Sequence, residues 1–119
     1  MQDYRKVKIW QKAHALTLAV YAITRSFPKS ELYGLRSQLR GSSSSIGMNV
    51  AEGCGRNGDK EFARFLHIAM GSTNELEYQL LLCRDLGYID PTDHLRLEGM
   101  AGEIKKMLAS LLRKLKAVS

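Results

Sequence analysis

The last third of the chain repeats apolar residues at steps of four and three: Leu97, Ala101, Ile104, Leu108, Leu111 and Leu115. An α-helix turns once every 3.6 residues, so this spacing lays all six side chains along one seam. A seam of this kind is stable only when another apolar surface covers it, so the rest of the chain must supply that surface. It carries the same period. Ile9, Ala13, Leu16, Val20, Ile23 and Phe27 form one stripe, with Trp10, Thr17, Tyr21 and Thr24 beside it. Leu32, Leu35, Leu39, Ile46 and Val50 form another, and Phe62, Phe65, Leu66, Ala69, Met70, Leu76, Leu80 and Cys83 a third. Alternation of period two, the mark of a half-buried strand, is nearly absent.

The stops between stripes are equally regular. Phe27-Pro28 closes the first, because a residue before proline avoids helical geometry. Ser30 reads as the N-cap of the second helix, with Glu31 favouring its dipole. Gly53, Gly55 and Gly58 end it, and Asp59 reads as the N-cap of the third. Leu86-Gly87 suits a left-handed cap, and Asp90-Pro91 restarts the chain as N-cap and first helical residue. The run Gly41-Ser42-Ser43-Ser44-Ser45-Ile46-Gly47 taken alone could be a loop, but the apolar period resumes in phase beyond it, which favours a continuous helix. The spacing therefore predicts one all-α domain, an antiparallel up-down-up-down four-helix bundle with helices near 8–26, 30–54, 59–86 and 91–116.

Chemistry-bearing patterns are few. Gly53-Cys54-Gly55-Arg56-Asn57-Gly58 spells GxGxxG, but a dinucleotide loop must follow a strand, and this one follows a helix. His14, His67 and His94 lack the Glu-x-x-His pairing of a di-iron bundle and read as ordinary surface or interface residues. The serine run has no nucleophile elbow around it, and Glu52, Glu75 and Glu77 read as paired or solvated helix glutamates. The expectation is a protein without catalytic residues, cofactor or metal. Cys54 and Cys83 are isolated, as in a reduced cytoplasmic protein, no apolar run approaches the ~20 residues of a membrane span, and no signal peptide opens the chain.

The charge distribution is more informative. The net charge is +6, and the excess sits near the termini. Residues 1–29 carry six basic side chains against Asp3 alone, residues 105–116 carry five and no acid, and residues 57–86 carry three basic against five acidic. On a helical wheel Lys105, Lys106, Arg113 and Lys116 fall within about 100° of one another, away from the leucine seam. Arg5, Lys6 and Lys8 join them if the N-terminus lies close. A surface of this kind binds RNA or DNA phosphates with little regard to base sequence; equally, lysines can serve solubility alone. Trp10 and Tyr21 offer the aromatic anchors of a protein interface, either with other copies of the chain or with another protein.

Several segments, taken together, resemble one family. Trp10-Gln11-Lys12-Ala13-His14, Tyr33 to Arg40, Ser45 to Gly53 and Ala69 to Glu77 are similar to bacterial four-helix bundle proteins encoded in intervening sequences of 23S ribosomal RNA genes, and to the related accessory variability determinant of diversity-generating retroelements. The resemblance implies a homo-oligomeric ring, with a pentamer favoured. For some members it implies association with nucleic acid as a basic partner of a reverse transcriptase and its RNA. The chain departs from the family pattern between Gly41 and Gly47, where bulkier residues and a proline are common. Carried over, Asn49, Glu52, Gly71, Ser72 and Glu75 occupy signature positions. Read physically, each polar pair is three residues apart on one helix face, so a satisfied polar seam between the second and third helices is expected, with Gly71 permitting close approach.

Overall fold

The computed structural model describes residues 2–118, with side chains through Lys116. Helices α1 (Lys8–Thr24), α2 (Leu35–Cys54), α3 (Asp59–Asp85) and α4 (Pro91–Val118) are preceded by a 3-10 turn at Tyr4–Lys6, and a second such turn, Lys29–Glu31, lies between α1 and α2. No strand occurs among the described residues. Each helix packs against its neighbours in sequence, and α4 closes the square against α1, giving a bundle 46 Å long and about 20 Å across. One core runs through it. Leu16, Val20, Leu39, Ile46, Leu66, Leu76, Leu80, Leu97, Ile104 and Leu108 are all fully buried.

The serine-glycine run is helical throughout, and the neighbouring helices explain it. Ser42 and Ser43 are buried, and each hydroxyl has an acceptor: Ser42 donates to Glu75 at 2.6 Å and Ser43 to the Arg40 carbonyl at 3.2 Å. Small side chains let α2 lie between α1 and α3 without a gap. On one side a Cβ at Gly47 would stand 3.5 Å from the Trp10 indole nitrogen, and on the other a Cβ at Gly53 would stand 2.9 Å from the Phe62 ring.

Two helix starts differ from expectation. The second helix begins at Leu35, not at Ser30, and Leu32 is exposed rather than inward. Glu31 is the reason. Its carboxylate accepts the Leu35 amide at 3.0 Å and the Tyr88 hydroxyl at 3.0 Å, so it caps α2 from outside while Gly34 turns the chain. The third helix takes Gly58, at φ +87°, as its N-cap, and Asp59 is its first residue. The turn there needs a left-handed backbone that aspartate adopts at a cost and glycine freely.

The other boundaries follow the sequence. Gly87 stands at φ +79° with its amide donating to the Arg84 carbonyl and the Tyr88 amide to the Cys83 carbonyl, the paired bonds of a Schellman cap. Asp90 caps α4 by accepting the Asp93 amide at 2.8 Å. His94, expected at the surface or an interface, is buried within the bundle: it continues the Leu97–Ala101 face one turn earlier.

Candidate nucleic-acid interface

The polar seam between α2 and α3 forms, with a different membership from that expected. Ser45 and Ser72 share a hydrogen bond of 2.8 Å, and Ser42 reaches Glu75 at 2.6 Å. Asn49 stays on its own helix, donating to the Ser45 carbonyl at 2.8 Å and to the Ser45 hydroxyl at 3.1 Å. Glu52 turns away to Arg56 at 2.6 Å on the exposed side. Gly71 makes no close approach within the chain, since a Cβ there meets nothing within 4 Å; Gly53 holds that role. The small residues of α2 leave the space, so α3 needs none.

The basic residues of the two termini do come together. The antiparallel path returns the C-terminal half of α4 to the start of α1, where Lys12 and Glu103 pair at 2.9 Å. Asp3, Lys6, Val7, Phe62 and Leu111 line one shallow hollow, and Asp59, Lys60, His67, Arg113 and Lys116 line a groove of about 520 Å³ between α3 and α4. The candidates differ in availability. Lys105 is engaged with Glu77 at 2.9 Å, and Arg5 with Asp3 at 3.2 Å. Asp3's carboxyl lies below its usual value because the Arg5 side chain and amide bond to it. Lys6, Lys8, Lys106 and Arg113 are exposed and make no ion pair among the described residues. Lys60, an exposed cation at the start of α3, joins this end without having been foreseen.

Trp10 and Tyr21 are both partly committed within the chain. Trp10 is half-buried, edge-on to Tyr4 and stacked on His14, each with ring centroids 5.0 Å apart. With Met48, which is 66% exposed, these rings border a groove of about 350 Å³ between α1 and α2. Tyr21 lies under the Arg40 guanidinium, 4.4 Å from ring centroid to carbon.

Arg40 belongs to a second basic cluster, formed with Arg25 and Arg36 where α1 ends and α2 begins. Burial and the neighbouring charges of Arg36 and Arg25 lower the Arg40 pKa. A signal for it exists in the sequence: Arg36 and Arg40 are four apart on one helix face, and no acid occurs from Leu32 to Ala51. Both cysteines are buried free thiols, and burial pushes Cys83 up to about 11. Among the described residues no three His, Cys, Asp or Glu side chains gather as metal ligands, and no helix is long and apolar enough to cross a membrane.

Fold and surface together define an all-α antiparallel four-helix bundle with a basic end built from both chain termini. The chain belongs to the 23S rRNA-intervening sequence protein family, which matches residues 5–110. A crystal structure of a protein of unknown function from the S23 ribosomal protein family of Bacteroides thetaiotaomicron has the same fold, with a TM-score of 0.79 over 87% of this chain and 97% of that one, at 24% identity. No curated protein matches.

Proposed function

We propose that the protein is a non-catalytic, homo-oligomeric bundle, with a pentamer favoured, whose basic end binds RNA or DNA through the phosphate backbone in the cytoplasm. The convergence of the two termini carries this reading: Lys6 and Lys8 from the start of the chain lie at the same end as Arg113, and Lys60 lines the same groove as Arg113. Exposed cations that outnumber the nearby carboxylates Asp3 and Asp59 draw phosphates, and repetition around an oligomer turns weak contacts into tight binding. Lys105 contributes less, because Glu77 already holds it. Charge reversal tests the reading. Lys6→Glu, Lys106→Glu and Arg113→Glu together should abolish RNA retention at moderate salt while the oligomer mass stays at the wild-type value. Retention at the wild-type level would refute it.

The second reading is a protein interaction scaffold, whether for a reverse transcriptase or another protein. It draws support from the Tyr4–Trp10–His14 stack and the exposed Met48 beside it. Partner capture that survives the triple charge reversal and is lost in Trp10→Ala would favour it.

A further inference from the structure

At the opposite end of the bundle from the chain termini, Tyr21, Leu32, Arg36, Ser37, Arg40, Gly41 and Ser44 line a pocket of about 340 Å³. No carboxylate is among them. Arg40 is fixed within it by three contacts. Its Nε donates to the Thr24 hydroxyl at 2.9 Å, its Nη2 donates to the Tyr21 carbonyl at 3.2 Å, and its plane lies over the Tyr21 ring. A guanidinium carries five N–H donors in a rigid fork, so these bonds orient the group and leave others unused. Arg36, one turn earlier on α2, makes no ion pair among the described residues, and Arg25 adds a third charge close enough to be felt at Arg40. Three like charges held together without a counter-charge are unfavourable, and a bound oxyanion relieves that repulsion.

The shape narrows the class of anion. A planar fork pairs with a tetrahedral oxyanion through two parallel bonds, which favours phosphate over a monovalent halide. The Ser37 and Ser44 hydroxyls border the same pocket, and its volume exceeds what one phosphate fills. Tyr21 and Leu32, each about 40% exposed, give it an apolar rim of the kind that covers a sugar or base. We propose that this pocket seats the phosphate of a nucleotide, with Arg36 and Arg40 as its binding residues and Arg25 steering from the edge. The seat is separate from the basic end of the bundle and stands whether or not that end engages nucleic acid.

Titration of the purified protein with inorganic phosphate at low ionic strength, followed by calorimetry, tests the proposal. Saturable binding is expected, with sulfate competing. Arg36→Gln should weaken it at least about tenfold, since a charge-assisted hydrogen bond to the anion is lost. The variant should unfold no more readily than the wild type in chloride buffer, because half-buried Arg36 makes no ion pair among the described residues and its loss relieves repulsion at Arg40. Arg40→Gln should weaken binding too, and the charge reversal at Lys6, Lys106 and Arg113 should leave it intact. A 5′-phosphorylated oligonucleotide compared with its 5′-hydroxyl twin then identifies the source. A preference for the phosphorylated strand that vanishes in Arg36→Gln assigns the seat to strand ends; no preference, with phosphate still bound, assigns it to free nucleotide. Absence of saturable phosphate binding, or equal affinity in wild type and Arg36→Gln, overturns the proposal.

Discussion

Two glycines of α2 should respond in opposite directions to the same substitution. Alanine in place of glycine inside a helix gains about 0.5–1 kcal/mol from backbone entropy alone. At Gly41 nothing lies within 4 Å of the new methyl group, so Gly41→Ala should show that gain in full. At Gly53 the methyl would stand 2.9 Å from Phe62 Cδ1 and 3.1 Å from Phe65 Cβ. The Phe62 ring edge can swing aside, but Phe65 Cβ is fixed to the α3 backbone, so the helices must part by a few tenths of an ångström. Overpacking of this kind costs about 1–3 kcal/mol, which outweighs the entropic gain near the helix end and leaves Gly53→Ala destabilised by about 1–2 kcal/mol. For a chain of this size 1 kcal/mol moves the midpoint by about 3–6 °C, so the two variants should melt several degrees apart on either side of wild type. Thermal and urea unfolding followed by circular dichroism, at one fixed protein concentration because assembly raises apparent stability, reads the difference. Gly53→Ala at least as stable as Gly41→Ala would refute the close α2–α3 contact.

Leu108 is fully buried on the α4 seam, so Leu108→Ala should cost about 2–5 kcal/mol in urea unfolding; an unchanged midpoint would place the seam elsewhere. Trp10→Ala should lower the oligomer mass at a given concentration more than it lowers the melting temperature, checked by light scattering and calorimetry on the same samples. Cys83 supplies a pH dependence. Its thiol ionises near the ordinary 9.0 when unfolded and near 11 when folded. Between those values the unfolded state binds fewer protons, so stability falls as pH rises from 9 through 11, by about 2–3 kcal/mol in all. Cys83→Ala should lose that part of the slope; an unchanged slope in the variant would contradict the burial argument.

The four helices were legible because burial writes its period into the residues, and α4, with the most regular seam, was legible most fully. The start of α2 was not. Leu32 keeps phase with Leu35 and Leu39, and only the bond from Tyr88, 57 residues away, reveals why Glu31 stands outside the helix. The seam between α2 and α3 was legible as a pair of faces but not in its contacts. Three-residue spacing identifies neighbours on one helix, while the rotation of the facing helix decides that Ser45 meets Ser72 and that Glu52 meets only Arg56. The basic candidates sorted for the same reason: Lys105 finds Glu77 across the α3–α4 interface, a pairing with no local signature. The cluster of Arg25, Arg36 and Arg40 has no signature in the charge of the chain ends: Arg36 and Arg40 of α2 line one pocket, and only the turn after α1 brings Arg25 near enough to act on Arg40.

The central claim, a basic end that grips phosphates from an intact oligomer, meets its most direct test in RNA binding by the purified protein across a salt series, with the oligomer mass recorded in each buffer. If about four cations per chain each neutralise a phosphate, the affinity should fall roughly 50-fold between 50 and 200 mM salt while the mass stays constant. No retention even at the lowest salt, or binding indifferent to salt, would contradict it.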